Sequence, residues 1–358
     1  MTCAAPTRVI VVDPSAPDPH AIAAAAQVIR AGGLVAFPTE TVYGLGANAL
    51  DAAAVARIFS AKGRPANDPI IAHIANLEQL DTLADNAPAI AHVLARHFWP
   101  GPLTLVLLRR PVVPANLSAG RDTVAVRMPA HPVALALIAA AGVPIAAPSA
   151  NRFSRPSPTT ANHVLDDLQG RVDLVLDGGP TLIGVESSVV DLTIDPPALL
   201  RPGGVPFEAL QSLLPGLVFT PRYLDIDGRG AASPGMLLRH YAPDAPLTMV
   251  AGERAAALAR LRAEAIAMAG AGHRVGVLAF AEDIEDLADV PAYMAVLGPS
   301  ADPEQVAARL FAALRELERA RVDVILVRDP GRQGLRLAIW DRLVRAAEGR
   351  VLNVDRGP

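Results

Sequence analysis

Two cationic side chains, Lys62 and Arg64, lie in the segment AKGRP and are the residues best suited to do chemistry. A hydroxyl-rich and turn-rich segment, PTETVYGLG, comes before them and directly follows the short apolar run 34–37. Cations fixed on a loop beside the end of a buried strand commonly hold a polyanion in α/β proteins. Further along the chain, PIAAPSAN contains a second pair of polar residues, Ser149 and Asn151, which we group with Lys62 and Arg64. Alone, each pair would be ordinary solvated charges or loop-forming residues, so the prediction depends on the whole set.

The sequence argues against several familiar kinds of site. GLGANA at 44–49 matches the dinucleotide pattern G-x-G-x-x-A, but PTETVY separates it from the preceding strand. That fingerprint needs its glycines at the strand-to-helix turn, so a nicotinamide site is not indicated. The sequence contains no G-x-x-x-x-G-K-[ST] phosphate loop and no H-E-x-x-H zinc motif. The single cysteine, Cys3, excludes an internal disulfide and a multi-cysteine zinc site.

The composition indicates a folded protein with large cores. A chain of 358 residues is long enough for two domains or one large one. Its 51% hydrophobic and 19% charged residues do not fit a disordered chain. The net charge of −4 gives no overall basic field, which a dedicated nucleic-acid-binding protein usually carries. Neither a signal peptide nor a membrane span is recognisable, so we expect a cytoplasmic protein.

Helices and strands alternate along residues 1–216, which we interpret as one domain. Helices are predicted at 20–31, 52–60, 88–98, 132–141 and 160–168, and Pro206 opens a last one. Strands are predicted at 34–37, 70–74, 103–108, 123–127 and 145–147, with three more near Leu174, Val189 and Leu199. This order predicts an α/β domain in which some consecutive strands pair antiparallel.

A second region follows a long interruption of the pattern. Residues 217–246 are rich in Pro, Gly, Asp and Arg, and we interpret them as a linker or lid. Strands are then predicted at 247–250, 273–280, 294–297 and 322–327, and helices at 253–269, 303–319 and 334–348. Residues 247–358 are therefore predicted to form a smaller, Rossmann-like doubly wound domain with a mostly parallel sheet.

Nine motifs in order across residues 38–204 resemble one family. They are PTETVYGLG, AKGRP, NDPIIAHI, FWPGPLTLVL, TVAVRMPAHP, APSANRFSRPSPTTA, DGGP, ESSVVDL and LLRPGG. Together they resemble the YrdC-like L-threonylcarbamoyladenylate synthases, and the linker with its α/β tail resembles the longer, two-domain form. One departure is Asp68, where the family commonly has Asn. A carboxylate near a triphosphate would repel it unless it helped to hold a metal ion.

The resemblance implies a fold, a reaction and its partners. The fold is a twisted mixed sheet with helices and an open concave cavity. The reaction is that of an ATP-binding nucleotidyltransferase, which joins L-threonine, bicarbonate and ATP into threonylcarbamoyl-AMP, pyrophosphate and water. This is the first step of threonylcarbamoyladenosine formation in tRNA processing. Mg²⁺ accompanies the ATP, and a downstream tRNA threonylcarbamoyl-transferase complex is a transient partner, while contact with tRNA itself is not required.

The resemblance also assigns roles to matching positions. The residues expected to act on the reacting groups are Lys62, Arg64, Ser149 and Asn151. Those expected to line the threonine pocket are Thr41, His73, Arg127, the backbone at Ala147, and Ser187. Those expected around ATP are Arg64, Asp68, Thr123, Ser149, Ser157, Arg201, His240 and Tyr241. Arg127 suits a carboxylate, because a guanidinium can bind it in a bidentate manner.

Alternatives remain open from the sequence. An RNA-binding or ribosome-maturation module could use the same cavity, although the acidic net charge weighs against it. Hydrogenase-maturation carbamoyltransferases contain a similar domain, but their zinc-finger segments need more than one cysteine. Thr123 and Ser157 could serve only strand-edge or turn structure. The segment 217–246 could be a passive tether rather than a lid that carries Arg239, His240 and Tyr241 onto the ligand.

Overall fold

The computed structural model describes residues 6–221 and 240–354, which fold into two compact units. The first unit contains residues 6–153 and 157–221. The second contains residues 240–354 together with 154–156. Most of the predicted lid, including Arg239 and the Ser-Pro-Gly at 233–235, lies outside the described residues.

The first unit is a mixture of helices and short strands, as the sequence predicts. Its strands are β1 (Arg8–Val11), β2 (Val35–Pro38), β3 (Tyr43–Asn48), β4 (Ala72–His73), β5 (Leu103–Leu108), β6 (Thr123–Arg127), β7 (Ile145–Ala146), β8 (Leu174–Asp177), β9 (Ser188–Asp191) and β10 (Ala198–Arg201). Its helices are α1 (Pro19–Arg30), α2 (Ala52–Lys62), α3 (Glu78–Leu83), α4 (Ala89–Phe98), α5 (Pro132–Ala141), α6 (Ala161–Leu168) and α7 (Phe207–Leu213). The predicted bounds of β5, β6 and α5 are confirmed.

These strands form a mixed sheet in the order β1-β8-β2-β3-β7-β4-β6-β5-β9-β10. Neighbours such as β4 and β6, or β5 and β9, are parallel, whereas β2 with β3, and β5 with β6, are antiparallel. The mixed sheet that the motifs indicated is confirmed. The prediction of an open concave cavity stays a prediction.

The segment PTETVYGLG is less turn-like than its composition suggests. Its second half is strand β3, which pairs with β2 on one side and β7 on the other. Glycine serves close packing here: a Cβ at Gly46 would lie 2.7 Å from a ring atom of Phe37 and 2.9 Å from a methyl of Ile145. Strand β1 and helix α3 were also not predicted, because short, half-exposed elements give only a weak hydrophobic periodicity.

Helix α2 shows how the sequence positions the cationic loop. Asp51 caps its first turn, since the side chain accepts from the backbone N–H groups of Ala53 and Ala54. Gly63 ends it in the left-handed conformation at φ 65°, which glycine adopts at little cost. Lys62 is therefore the last helical residue, and Arg64 begins the loop that follows.

The second unit is a smaller α/β fold. Its strands are β11 (Leu247–Ala251), β12 (Val275–Phe280), β13 (Ala292–Gly298), β14 (Val324–Arg328) and β15 (Val351–Asn353). Its helices are α8 (Arg254–Gly270), α9 (Pro303–Arg319) and α10 (Arg336–Ala346), with a 3₁₀ turn at Ala281–Asp283. The sheet order is β13-β12-β14-β11-β15, and the pairs are parallel. None of the helices in the described ranges has the length and apolar character that a membrane crossing needs.

Candidate active site

One face of the large sheet carries a row of the predicted site residues. Side chains alternate along β6, so Thr123, Ala125 and Arg127 share one face, while Val124 and Val126 enter the main hydrophobic core on the other. On the first face, four apolar residues form a small separate cluster, and they are Ile71, Val106, Ala125 and Val189. Polar site residues therefore surround a narrow apolar floor.

The strand registers bring further predicted residues to this same face. His73 in β4 is the Cα partner of Arg127 in β6. Arg201 in β10 is the partner of Val189 in β9. Thr123 and Arg127, however, lie at opposite ends of β6, so one strand serves two separate parts of the site. The assignment of Thr123 to ATP and of Arg127 to threonine stays a prediction.

Lys62 connects the two halves of the motif set, KGR and SAN. Its Nζ donates to the backbone carbonyls of Ser149 and Asn151, each at 2.5 Å. The lysine is only 3% exposed, and burial, followed by the nearby charge of Arg64, lowers its pKa well below the ordinary value. The Nζ group thus holds the SAN loop in place, a role that the sequence did not indicate.

Arg64 and Asp68 form a buried ion pair. Nη2 of Arg64 lies 2.9 Å from Oδ2 of Asp68, but without the alignment of a hydrogen bond. The hydrogen bonds of Arg64 go instead to the backbone carbonyls of Asp68 and Pro69, at 3.2 and 2.7 Å. Burial raises the pKa of Asp68, although Arg64, Lys62 and Arg201 each act to lower it.

Arg127 forms a second buried ion pair, with Glu40. Its Nη2 donates to Oε1 of Glu40 at 2.6 Å, and its Nε donates to the carbonyl of Gly101 at 3.2 Å. Among the described residues, Nη1 has no hydrogen-bond partner. One edge of the guanidinium is therefore fixed by the protein, and the binding of a ligand carboxylate by Arg127 stays a prediction.

His73, next to Arg127 in the sheet, is buried and uncharged at neutral pH. Burial, followed by the charge of Arg127, lowers its pKa to about 3. Within the described residues its Nδ1 has no hydrogen-bond partner. It can therefore offer a hydrogen bond without adding a second positive charge beside Arg127.

Ser187 lies in a polar cluster with Thr104 and Arg201. The hydroxyl groups of Thr104 and Ser187 are 2.8 Å apart. Arg201 donates to the Ser187 carbonyl from Nε and Nη2, at 3.1 and 2.9 Å, and to its hydroxyl at 3.1 Å. This contact joins a residue expected in the threonine pocket to one expected near ATP.

The remaining residues of the first unit are held by side-chain partners or by the sheet. Ser157 donates to Oε1 of Glu186 at 2.6 Å. The hydroxyl of Thr41 is 2.7 Å from that of Thr39. The backbone N–H of Ala147 donates to the carbonyl of Ile71 at 3.0 Å, and Ser149 forms a β-bridge with Gly44.

His240 and Tyr241 belong to the second unit. Their rings make an edge contact at 4.0 Å between centroids, and Tyr241 also stacks near Phe311 at 5.3 Å. The guanidinium of Arg342 lies 5.2 Å from the centre of the Tyr241 ring. Both residues are buried, and their approach to a nucleotide stays a prediction.

Several unsatisfied buried polar atoms belong to the predicted site residues or their partners, and others lie elsewhere in the described parts of the chain. The former include Oε2 of Glu40, both carboxylate oxygens of Asp68, and Nδ1 of His73. Buried polar atoms normally find hydrogen-bond partners, so a group of exceptions at one place indicates where ligand atoms belong. Glu40, Thr104 and Glu186 were not singled out from the sequence, although Glu40 and Glu186 stand inside the motifs PTETVYGLG and ESSVVDL.

The predicted Mg²⁺ that accompanies ATP stays a prediction. Within residues 6–221 and 240–354, three or more His, Cys, Asp or Glu side chains do not gather in a way that could hold a metal. Mg²⁺ needs few protein ligands when phosphate oxygens and water complete its shell.

Comparison with known families and structures connects this site to one group of proteins. The Sua5/YciO/YrdC family model, described as telomere recombination, matches residues 27–203. The model described as threonylcarbamoyl-AMP synthase, C-terminal domain, matches residues 205–348. The threonylcarbamoyl-AMP synthase of Pyrococcus abyssi is 48% identical over 92% of this chain and 95% of that protein. The one from Bacillus subtilis is 46% identical over 94% and 95%.

Solved structures agree with the sequence comparison. The crystal structure of P. abyssi Sua5 complexed with L-threonine has a TM-score of 0.91 and 46% identity, covering 97% of this chain and 99% of that one. A variant of the same protein, in which a histidine and the next residue, a tyrosine, are replaced by alanine, has a TM-score of 0.90. The resemblance and the fold class indicated by the motifs are confirmed. The chain therefore belongs to the threonylcarbamoyl-AMP synthase family, in the form that carries both the Sua5/YrdC domain and the C-terminal domain.

Proposed function

We propose that this chain converts L-threonine, bicarbonate and ATP into L-threonylcarbamoyl-AMP, pyrophosphate and water. The observation that carries the proposal is a pair of buried arginines, Arg127 and Arg64, on one domain whose relatives are named for this product. The reaction gathers a carboxylate, a carbamate and a triphosphate, so it needs separate cationic positions prepared in advance. The RNA-binding alternative is not favoured, since relatives that span most of the chain are named as synthases.

The chemistry has two steps, and neither requires a covalent bond to the protein. The threonine amine and bicarbonate first combine into a carbamate, with loss of water. A carbamate oxygen then attacks the α-phosphorus of ATP, and the bond to pyrophosphate breaks. The protein's task is to orient three anionic groups and to balance their charge.

Arg127 is proposed to bind the threonine carboxylate. Its Nη1 has no partner among the described residues, while Glu40 and the Gly101 carbonyl fix the rest of the guanidinium. His73 beside it is uncharged and can accept or donate a hydrogen bond. Thr41, Ser187 and the backbone at Ala147 complete the pocket in this proposal.

Arg64 is proposed to contact the phosphates, with Arg201, Thr123 and Ser157 around the nucleotide. Lys62 contributes by holding the backbone of Ser149 and Asn151, which lie in the loop expected to face the carbamate. Mg²⁺ bound to the ATP phosphates would lower their negative charge and so ease attack on phosphorus. These assignments agree with the ordered motifs that the sequence shares with the family.

His240 and Tyr241 are proposed to close on the nucleotide as part of a lid. They form the only His-Tyr pair in the sequence. A residue pair of the same types was replaced in the P. abyssi variant whose structure is similar to this one. The product would pass to a downstream tRNA threonylcarbamoyl-transferase complex, by transient contact in the cytoplasm.

The test is pyrophosphate release by the full chain, with each of the three substrates omitted in turn. We expect release only when L-threonine, bicarbonate and ATP-Mg²⁺ are all present. Serine should be a poorer substrate, because the loss of one methyl contact costs about 1 kcal/mol. Equal release without threonine would show that the proposed function is wrong.

A further inference from the structure

Asp68 is the residue at which this chain departs from the family pattern, and its placement is unusual. The side chain is 1% exposed, and neither carboxylate oxygen has a hydrogen-bond partner. Among the residues that the structure describes, its close contact of opposite charge is Nη2 of Arg64, at 2.9 Å. A buried carboxylate without hydrogen bonds is costly, so the position needs an explanation.

The surroundings of Asp68 provide that explanation. Two buried guanidinium groups, Arg64 and Arg201, and the side chain of Lys62 act on its carboxyl group. They come from the end of α2, the following loop and strand β10, so the fold itself brings them together. Cations held this way repel one another unless an anion lies among them. The carboxylate of Asp68 therefore supplies the negative charge where a phosphate group is expected.

We propose that Asp68 is an internal counter-ion of the phosphate-binding cations, which the triphosphate of ATP displaces from Arg64. The inference rests on the proposed function, because that function makes ATP the anionic ligand. In the free protein, the carboxylate keeps the cation cluster stable. In the complex, the phosphate takes over its contact with Arg64.

The hydrogen bonds of Arg64 make this exchange feasible. Two of its donors hold the backbone carbonyls of Asp68 and Pro69, so the guanidinium stays in place when the carboxylate leaves. The carboxylate itself is attracted but not hydrogen-bonded, so its displacement breaks no aligned hydrogen bond. A neighbouring phosphate disfavours the charged form of Asp68, so the residue takes up a proton as ATP binds.

The groups that set this proton uptake are identified by the structure. Lys62, Arg64 and Arg201 favour the charged carboxylate, and Asp167 acts on Lys62 from helix α6. Burial is the largest influence on Asp68 and raises its pKa even before a ligand binds. ATP binding should therefore strengthen as the pH falls, and more so in the wild type than in a variant without this carboxylate.

The experiment compares ATP binding by the wild type and Asp68→Asn with calorimetry, at fixed Mg²⁺ and without threonine. Asp68→Asn keeps the side-chain shape and removes the charge. We expect it to bind ATP about tenfold more tightly at neutral pH, because one repulsive charge is gone. The difference in ATP affinity between Asp68→Asn and the wild type should narrow as the pH falls. Asp81→Asn, an exposed position on α3, is the matched control for net charge and should bind like the wild type.

The other outcomes overturn the inference. Equal or weaker ATP binding by Asp68→Asn would show that Asp68 is not displaced, and weaker binding would identify it as a ligand of the ATP-bound Mg²⁺. If Asp68→Asn does not fold, Asp68→Ser replaces it in the same comparison. In addition, ATP titrations in buffers of different ionisation enthalpy should show that the wild type takes up more protons on ATP binding than Asp68→Asn or Asp68→Ser does. Failure of the wild type to bind ATP or release pyrophosphate would instead overturn the proposed function.

Discussion

Two buried arginine–carboxylate pairs in the first unit look alike but are built differently. Arg127 donates an aligned hydrogen bond of 2.6 Å to Glu40. Arg64 lies 2.9 Å from Asp68 without such a bond and gives its donors to backbone carbonyls. The first pair is a fixed unit, in which the carboxylate orients the guanidinium. The second is a loose pair, in which the backbone orients the guanidinium and the carboxylate only balances charge.

Under the proposed function, the difference between the two pairs matches what each ligand group requires. A threonine carboxylate is small and singly charged, so one arginine held at a set angle can select it. A triphosphate carries several charges, so its cations need an anion among them while the site is empty. A buried arginine–carboxylate pair can therefore either orient the guanidinium or balance its charge. The hydrogen-bond pattern shows which of these functions a pair has.

The largest expected effect is on stability when each arginine is removed. Arg127→Ala should lower the free energy of unfolding by about 3–5 kcal/mol, because Glu40 is left buried and unpaired. Arg64→Ala should cost less, about 2 kcal/mol, because Asp68 can take up a proton while the backbone hydrogen bonds are lost. Urea unfolding of both variants measures the difference. Equal losses would contradict the distinction between a fixed and a loose pair.

A second test separates the two pairs by their substrates. Glu40→Gln should raise KM for threonine about tenfold with little change in kcat, because Arg127 loses the partner that orients it. Asp68→Asn should leave KM for threonine unchanged and alter the ATP dependence instead. Pyrophosphate release with threonine and ATP varied in turn gives both values. If both substitutions changed the same KM, the two pairs would not serve separate ligands.

A third contrast is in the pH dependence of stability, where His73 and Asp68 should behave in opposite ways. His73 has a pKa of about 3 when folded against an ordinary 6.5, so the unfolded state binds more protons between these values. Its contribution should fall with decreasing pH through that window, by up to about 1.4 kcal/mol per pH unit. Asp68 has a raised pKa when folded, so its contribution should fall as the pH rises through that folded pKa.

Unfolding free energies measured across this pH range for the wild type, His73→Gln and Asp68→Asn check both signs. His73→Gln should flatten the curve on the acidic side, and Asp68→Asn should remove the decline on rising pH. A steeper acid dependence in His73→Gln would contradict the buried, uncharged state of His73.

The sequence by itself determined the family, the α/β class and most of the regular elements of both units. Strands β5 and β6 and helix α5 follow from apolar runs bounded by Gly and Pro, a local pattern that needs no knowledge of the rest of the chain. The cap at Asp51 and the left-handed Gly63 are equally local, and they place Lys62 and Arg64 at the end of a helix. Ordered motifs then assigned the substrates.

Only the tertiary structure decided which residues pair. Glu40, in the turn between β2 and β3, meets Arg127 at the end of β6, although the two are 87 positions apart in the chain. Lys62, at the end of α2, reaches the carbonyls of Ser149 and Asn151, a contact that no local pattern indicates, while its role beside the reacting groups stays a prediction. Strand β3 was not predicted, because its glycines are typical of turns. In the structure, they allow close packing against Phe37 and Ile145. Periodicity reports the environment of one segment, whereas charge pairing and close packing depend on which distant segment folds against it.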